Sequence, residues 1–266
     1  MARFVLAWAL SILSCSMTFA QDPAVQRLET SPRHHEWVAI KQGERIVHSY
    51  LVFPEVADKV LAIVVIHENR GLTDWVRAVA DQLAEAGYLA IAPDLLSGMG
   101  PNGGKSSDLP NLDAAREAIS KLPPEQVTAD LNAVFEHVAK LPAGNGKVAV
   151  AGFCWGGGQS FRFATNRKDL AAAFVFYGSG PDSAAISRIA CPVYGFYGGN
   201  DARVNATLPK TAEAMKTLDK TFEPVTYEGA GHGFMRAGEM PDAIETNKKA
   251  REEAWTHWKN LLKTFN

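Results

Sequence analysis

Residues 148–158 decide the fold, and they read Val-Ala-Val-Ala-Gly-Phe-Cys-Trp-Gly-Gly-Gly. The first half is an apolar run typical of a strand buried on both faces, and the second half is a glycine-rich turn. Cys154 occupies the centre of a G-x-C-x-G pattern. This pattern is typical of a strand-to-helix turn that raises a nucleophile above a sheet, and here the nucleophile would be a sulfur in place of a hydroxyl. Glycine at positions 152 and 156 removes side chains that would collide in so sharp a turn. The stretch therefore predicts a strand, a tight turn and a helix in succession.

Strand-like and helix-like segments continue outward on both sides of this turn. Apolar runs and alternating patterns predict strands over Glu36–Lys41, Arg45–Phe53, Leu61–Ile66, Tyr88–Ala92, Lys147–Phe153, Ala172–Tyr177, Val193–Tyr197 and Phe222–Tyr227. Helical spacing of apolar residues predicts helices over 73–87, Pro124–Leu141, Gly158–Thr165, Asn205–Leu218 and Asp242–Phe265. The first two strands flank Gln42 and Gly43, which suggests an opening hairpin. Because the later strands alternate with helices, the sequence predicts one doubly wound α/β domain, a mostly parallel sheet with helices on both faces.

Composition excludes several classes of protein. The chain has 266 residues, of which 47% are hydrophobic and 21% charged, and this balance is typical of a globular domain. A net charge of −2 supplies no basic excess for phosphates, so we expect no nucleic-acid partner. Three cysteines are too few for a disulfide scaffold, and no His, Cys or Asp cluster has the spacing of metal ligands. We expect no cofactor, while the oligomeric state stays open.

The first twenty residues have the pattern of a secretory signal peptide. Arg3 precedes an apolar run over Phe4–Leu13, and small residues lead to Thr18-Phe19-Ala20. The run is too short to span a hydrocarbon core of about 30 Å comfortably, so we expect cleavage, export to the periplasm or beyond, and no stable membrane insertion. An uncleaved interfacial helix is the alternative, and a lipoprotein anchored through Cys15 is less favoured because Leu13 stands where a smaller residue is usual. The predicted organisation is a signal peptide (1–20), an N-terminal extension (21–34) and a catalytic domain (35–266).

The carboxyl ends of the parallel strands should hold the chemistry, since ligand sites of such sheets lie there. Cys154 follows one strand at the start of a helix, where free backbone N–H groups favour a thiolate and the Trp155 N–H points at a developing oxyanion. Asp201 follows the strand Val193–Tyr197, and His232 lies between two glycines after the last strand. This order predicts a nucleophile, then an acid that holds a tautomer, then a general base. Of the other histidines, only His67 is close enough to remain a candidate.

Four motifs carry a resemblance to a known family. They are residues 66–71 (Ile-His-Glu-Asn-Arg-Gly), 152–157 (Gly-Phe-Cys-Trp-Gly-Gly), 199–201 (Gly-Asn-Asp) and 231–234 (Gly-His-Gly-Phe). This set resembles the dienelactone hydrolase (carboxymethylenebutenolidase) family, of the α/β-hydrolase fold, from about residue 35 to the C-terminus. The resemblance implies a triad of Cys154, His232 and Asp201. It further implies that Glu68 restrains or activates the thiol, that the Asn69 N–H is a second oxyanion donor, and that Arg236 holds a substrate carboxylate.

The chain departs from the family pattern in one place. Family members that act on dienelactone carry a second carboxylate-binding arginine shortly after a Pro-Asp-Leu segment, and residues 93–100 here contain none. Arg70 or Arg203 would have to substitute, so the departure bears on the substrate rather than on the type of reaction. The following stretch, residues 94–112, is rich in Gly, Ser, Asn and Pro. We interpret it as a lid or pocket rim, with a solvated loop as the alternative.

Glu68 also suggests a way of controlling the thiol. A carboxylate near a thiol opposes its ionisation, whereas a helix N-terminus favours it. We hypothesise that Cys154 ionises only when bound substrate displaces Glu68, which would protect an exported thiol from oxidation. The alternative is that Glu68 is a plain loop residue. A Cys154–Cys191 disulfide is disfavoured because it would abolish the nucleophile.

The sequence thus predicts a cofactor-independent thiol hydrolase that cleaves a lactone or a small activated ester. Its partner would be that small molecule. A broader carboxylesterase or a peptide hydrolase on the same fold is the first alternative, since fold does not fix substrate. A non-catalytic or redox-active thiol protein is the second.

Overall fold

Eight strands form one sheet in the computed structural model, which describes residues 21–266. The predicted signal peptide lies outside the described residues. The strands are β1 (His35–Gln42), β2 (Arg45–Val52), β3 (Val60–Ile66), β4 (Leu89–Pro93), β5 (Gly144–Phe153), β6 (Ala173–Phe176), β7 (Val193–Gly198) and β8 (Phe222–Tyr227). Their order across the sheet is β1-β2-β4-β3-β5-β6-β7-β8. The hairpin β1–β2 and the pair β2–β4 are antiparallel, and every neighbouring pair from β4 to β8 is parallel.

Helices cover both faces of this sheet. They are α1 (Pro23–Thr30), α2 (Asp74–Glu85), α3 (Leu112–Ser120), α4 (Pro124–Val138), α5 (Trp155–Asn166), α6 (Ser183–Ile186), α7 (Ala202–Asn205), α8 (Leu208–Thr217), α9 (Phe234–Ala237) and α10 (Glu245–Leu262). Strand β3 is buried along its whole length, and its alternate residues enter two different apolar layers. One layer lies under α1, α2, α9 and α10, and the other lies under α4, α5 and α8. The predicted fold class is therefore confirmed.

Helix boundaries are where the sequence prediction was wrong. Helix α5 begins at Trp155 rather than Gly158, because Cys154 is its N-cap and the glycine run is already helical. The helix predicted to start at Asn205 starts at Leu208 instead, with Pro209 in its first turn, where proline is well tolerated, and Asn205 ends the separate short helix α7. The closing helix is shorter at both ends than predicted. Four further helices were not predicted, namely α1, α3, α6 and α9.

Residues 94–112 are held in place by one buried carboxylate. Asp94 accepts hydrogen bonds from the N–H of Ser106 at 2.7 Å and from its hydroxyl at 2.5 Å, and a further one from the Leu96 N–H at 3.0 Å. Two short 3₁₀ turns, Pro101–Gly103 and Ser106–Asp108, form around this attachment. The segment therefore has local structure of its own.

The N-terminal extension is attached through a second buried carboxylate. Asp81 of α2, only 1% exposed, accepts two hydrogen bonds from Arg33 at 2.8 Å each and one from Arg27 of α1 at 3.0 Å. Burial is the largest single influence and opposes ionisation of Asp81, but the hydrogen bonds from Arg33, Ser31 and Arg27 together outweigh it, so the pKa of this carboxyl is lowered. The extension thus packs on the same face of the sheet as α2.

The start of α5 packs directly against the sheet backbone. A methyl group added at Gly156 would overlap the carbonyl oxygens of Ile66 and His67, at the end of β3. At Gly158, two residues further on, the nearest atom to such a methyl would be Ser179 O at 3.6 Å, an ordinary contact. Close packing therefore requires glycine at position 156 but not at position 158.

This difference can be tested with two alanine variants. Gly156→Ala should lower the free energy of unfolding by at least about 2 kcal/mol, because the added methyl has only backbone to displace. Gly158→Ala should leave it unchanged or raise it by up to about 1 kcal/mol, because alanine is the better helix former. Urea unfolding followed by circular dichroism measures both values, and equal losses in the two variants would contradict this account of the packing.

Candidate active site

Cys154 stands on a strained turn between β5 and α5. Its backbone has φ 56° and ψ −115°, on the positive-φ side that L-residues other than glycine seldom adopt. Two bonds hold it there: the Cys154 N–H donates to Phe176 O of β6 at 3.0 Å, and the Gly158 N–H donates to Cys154 O at 3.2 Å. The turn leaves the side chain partly exposed at the carboxyl end of the sheet. This is the position that the sequence predicted.

His232 and Asp201 are brought to this cysteine from two later loops. His232 lies between β8 and α9, and its Nε2 is 3.1 Å from Cys154 Sγ. Its Nδ1 is 2.5 Å from Oδ2 of Asp201, which follows β7 and is 6% exposed. The other carboxylate oxygen of Asp201 accepts from the Val204 N–H at 3.4 Å, at the start of α7. The three predicted residues therefore form one continuous line of contacts.

This arrangement favours a charged imidazole. The hydrogen bond to Cys154, and then that to Asp201, raise the pKa of His232 to about 9, against burial, which lowers it. The surroundings of His232 therefore favour a proton on both ring nitrogens, with Nε2–H directed at Sγ. A proton held beside a sulfur nucleophile is suitably placed for transfer to a leaving group.

Glu68 and Arg236 form a partly buried ion pair beside the cysteine, with Glu68 buried and Arg236 half-buried. Glu68 follows β3 and is 4% exposed, and the Arg236 Nε–H of α9 donates to its Oε2 at 2.8 Å. Each charge thus compensates the other where water has little access. Arg236, predicted from the resemblance to hold a substrate carboxylate, is bound to a carboxylate of the protein itself.

Tyr177 is a site residue that the sequence analysis missed. It follows β6 with φ 43° and is 1% exposed, and its ring lies 5.1 Å from that of His232. Burial first, and then the charge of Glu68, hold its pKa well above the usual range, so the phenol keeps its proton. Among residues 21–266 its hydroxyl has no hydrogen-bond partner. Its place at the end of a predicted strand was the one available signal.

The two predicted oxyanion donors come from the turns after β3 and β5. Trp155 is the first residue of α5, so its N–H is one of the helix N–H groups without an intrahelical acceptor. Asn69 directly follows Glu68, and both Asn69 and Trp155 line the same cavity as Cys154. Backbone N–H groups at such positions can stabilise a developing negative charge.

His67, the remaining histidine candidate, is buried and connects the turn after β3 to the turn after β4 by hydrogen bonds. The Leu95 N–H donates to its Nε2 at 3.3 Å, which leaves Nδ1–H to donate to Glu68 O at 2.8 Å. Its ring stacks on that of Trp155 with centroids 5.3 Å apart. Burial lowers the pKa of His67, which is consistent with a neutral imidazole that positions the turn after β3.

A cavity of about 850 Å³ opens at Cys154. It is lined by residues of α5, of the loop after β6, and of α6 and α7, with Tyr177 and Arg203 among them. Of the two arginines that were predicted as substitutes, Arg203 therefore lines the cavity and Arg70 does not. Within the described part of the chain, residues 94–112 also lie outside the lining, so they do not form the rim of this cavity.

Residues 21–266 contain neither a cluster of metal ligands nor a helix suited to a membrane. No group of three or more His, Cys, Asp or Glu side chains there is arranged to hold a metal ion. None of the helices in this part of the chain combines the length and the apolar character needed to cross a bilayer.

The fold and the site together define a class. A mostly parallel sheet, a nucleophile candidate on the sharp turn between a strand and a helix, and an acid and a histidine after later strands are the features of an α/β-hydrolase. Within that class, the chain belongs to the dienelactone hydrolase family, whose model matches residues 47–266. The resemblance found in the sequence is thereby confirmed, and the protein is a hydrolase that acts on ester bonds.

Individual relatives agree with this assignment. A “Putative carboxymethylenebutenolidase” of Saccharolobus solfataricus is 30% identical over 254 residues, which cover 82% of this chain and 93% of the relative. The crystal structure of a “Putative Dienelactone Hydrolase” from Klebsiella pneumoniae has a TM-score of 0.76 at 26% identity, covering 87% of this chain and 98% of that one. Pyrococcus horikoshii acylaminoacyl peptidase, at 13% identity and a TM-score of 0.67, covers 91% of this chain and 43% of that one, and it shows the fold alone.

Proposed function

We propose that this protein is a cofactor-independent thiol hydrolase that cleaves a lactone or a small activated ester through Cys154, His232 and Asp201. The observation that carries the proposal is the line of contacts through His232, with 3.1 Å to Sγ on one side and 2.5 Å to the Asp201 carboxylate on the other. A base between a nucleophile and an orienting acid is the arrangement that covalent ester hydrolysis needs.

The reaction proceeds in two halves. The Cys154 thiolate attacks the ester carbonyl carbon, and the oxyanion accepts hydrogen bonds from the N–H groups of Trp155 and Asn69. His232 gives its Nε2 proton to the departing alkoxide or enolate, which leaves a thioester on sulfur. Water then loses a proton to His232 as it attacks the thioester, and the thiolate departs with the acid as product. Esters of enols and phenols suit this chemistry because their oxygens are good leaving groups.

Arg236 and Arg70 are the groups proposed to meet a carboxylate on such a substrate. Arg236 uses Nε for Glu68, which leaves its two terminal nitrogens to bind an anion. The pKa of Arg70 is lowered by burial and then by the positive charge of Arg236, so the two cations repel each other. A substrate carboxylate between them would relieve that repulsion, and this is the reason to propose Arg70 as the substitute for the missing family arginine, although Arg203 and not Arg70 lines the cavity at Cys154.

Glu68 is the proposed restraint on the thiol. Its charge is balanced by Arg236 in the free enzyme, and a substrate carboxylate on the terminal nitrogens of Arg236 would compete with Glu68 for that positive charge while binding different atoms. Displacement of Glu68 on substrate binding would then couple substrate recognition to activation of Cys154.

The competing functions have less support. Cys191 is buried, and burial raises the pKa of its thiol to about 11, so it is poorly suited to resolve a redox reaction of Cys154. The alternative of a peptide hydrolase is supported only by structural neighbours that share the fold and nothing further. A broader carboxylesterase remains the second candidate, because the family's second arginine is missing from residues 93–100.

Mass spectrometry with matched cysteine variants tests the nucleophile. Brief exposure to a 4-nitrophenyl ester, and separately to an enol lactone, should give turnover and a transient acyl adduct in the wild type and in Cys191→Ala. Cys154→Ala should form no adduct and should lose at least about 10³-fold in kcat, because the covalent step is gone. Preference for the lactone would favour the narrower function, and preference for the 4-nitrophenyl ester would favour the carboxylesterase. Turnover that survives in Cys154→Ala would refute the thiol mechanism.

Thiol alkylation tests the restraint by Glu68. At pH 7, Glu68→Gln should react with iodoacetamide several-fold faster than the wild type, because Arg236 is then unpaired beside the sulfur. Arg236→Gln should react more slowly, because it leaves the Glu68 charge uncompensated. Alkylation is measured on Cys191→Ala backgrounds, with folding checked by circular dichroism. A slower reaction in Glu68→Gln would show that the proposed restraint is wrong.

We further propose export, on the basis of the N-terminal pattern alone. Expression of the full chain in a bacterial host should yield mature protein outside the cytoplasm that begins at Gln21, as read by N-terminal sequencing. A purified chain that begins at Met1 would contradict a cleaved signal peptide.

A further inference from the structure

The cavity at Cys154 is a groove that runs along one face of α5. Its lining residues on this helix recur every three or four positions, from Cys154 through Gly158 and Arg162 to Asn166. This is the spacing of a single helical face. At 1.5 Å per residue, the face extends about 18 Å from the cysteine. Such a length is more than a small lactone ring occupies.

Gly158 has no role in the fold that would explain its place in the groove. It lies inside α5, where glycine costs about 1 kcal/mol relative to alanine. An added methyl would lie 3.6 Å from Ser179 O, on the opposite side of the groove. The absent side chain therefore leaves open the passage between α5 and the loop after β6, close to the nucleophile.

The groove carries more positive than negative charge away from the cysteine. Among residues 21–266, its lining includes Arg162, Arg188 and Arg203 and a single carboxylate, that of Asp182. The hydrogen bonds of Arg162 go to Pro124 O and to the Thr128 hydroxyl, and Arg188 donates to Thr165 O. These partners are neutral, so none of them cancels an arginine charge. The lining therefore has an excess of positive charge and is suited to an anion.

The position of His232 decides which half of an ester enters the groove. The leaving group must lie against His232 to receive its proton, and among the described residues His232 is not part of the groove lining. The oxyanion side is fixed by Trp155 and Asn69. Of the three substituents on the attacked carbon, the acyl chain is the one left to extend along α5.

We propose that the groove binds an extended acyl chain that ends in an anionic group such as a carboxylate. Arg162 lies eight residues after Cys154, about 12 Å along the helix, and helical side chains lean toward the N-terminus. The three arginines therefore hold the anion at a distance from the scissile carbonyl that lies between several ångströms and about 12 Å. This inference rests on the proposed function and specifies the acyl half of its substrate as an ω-carboxy acid, in addition to the carboxylate that is proposed to meet Arg236 and Arg70 outside the groove lining.

Matched substrates test the charge and the length of the acyl chain. The substrates are 4-nitrophenyl half-esters of dicarboxylic acids from succinic to sebacic acid, each paired with its methyl-capped neutral form, and 4-nitrophenyl acetate. The wild type should prefer the free carboxylate over the capped form by about tenfold in kcat/KM at one intermediate length, and this ratio should fall with added salt.

Matched variants test the residues. Arg188→Gln and Arg203→Gln should each reduce that ratio several-fold, and Arg188→Lys and Arg203→Lys should restore part of it. Lys168→Gln removes a charge just beyond α5 that is not in the groove lining, and it should keep the wild-type ratio. Gly158→Leu should lower the rate on long acyl chains relative to acetate by more than about tenfold, because its side chain would enter the passage.

The outcomes separate this inference from the function on which it rests. Hydrolysis of the acetate ester that depends on Cys154, without preference for the carboxylate series at any length, would overturn the groove proposal and leave the thiol hydrolase intact. Preference for the capped series would also overturn it, in favour of a neutral acyl chain. Loss of all turnover in the wild type, from folded protein with a free thiol, would instead refute the proposed function. The arginine variants keep the test valid if Gly158→Leu does not fold.

Discussion

The backbone conformation of Cys154 is the constraint on which the rest of the site depends. A non-glycine residue at φ 56° and ψ −115° costs on the order of 1–3 kcal/mol, and it persists only where its surroundings hold it. The hydrogen bond to Phe176 O supplies part of that hold, and the close approach of Gly156 to the end of β3 supplies another part. Because the turn is fixed from two neighbouring strands, the sulfur has a defined place relative to loops that arrive from far along the chain. His232 and Asp201 need only follow their own strands to reach it.

The pair of Glu68 and Arg236 ties the two sides of the site together. The residues are 168 positions apart, and they join the turn after β3 to the short helix after β8. A partly buried pair of this kind contributes little net stability, because desolvation offsets the attraction, but loss of Arg236 leaves the buried charge of Glu68 without a partner. A ligand that competes for Arg236 therefore acts on both turns at once. His232 and Tyr177 lie within the same small region, so a change of charge there acts on both side chains.

Periodicity and chain order were enough to predict the sheet and the relative positions of Cys154, Asp201 and His232, because parallel strands bring their carboxyl ends to one edge. Tyr177 was missed because its direction depends on a positive φ that no residue pattern encodes. The short helices α6, α7 and α9 were missed or misplaced because four residues carry no measurable periodicity. The groove was not predicted because the start of α5 was placed at Gly158 instead of Trp155. A helix with that start has no continuous face that leads away from Cys154.

In the proposed reaction, helix α5 links catalysis and recognition in a way that loops could not. Its first turn supplies the N–H of Trp155 and the electrostatic environment of the sulfur, and its side supplies the floor of the groove. The distance from the nucleophile to Arg162 is therefore set by the rise of a helix packed on a sheet, which does not adapt to a longer or shorter chain. The leaving-group side is built differently, from the turn after β3 and the loop after β8. The acyl side of the site is therefore rigid, whereas the leaving-group side is built from loops. We expect the enzyme to discriminate more strictly among acyl chains of different length than among alcohols, because only the helix fixes a distance.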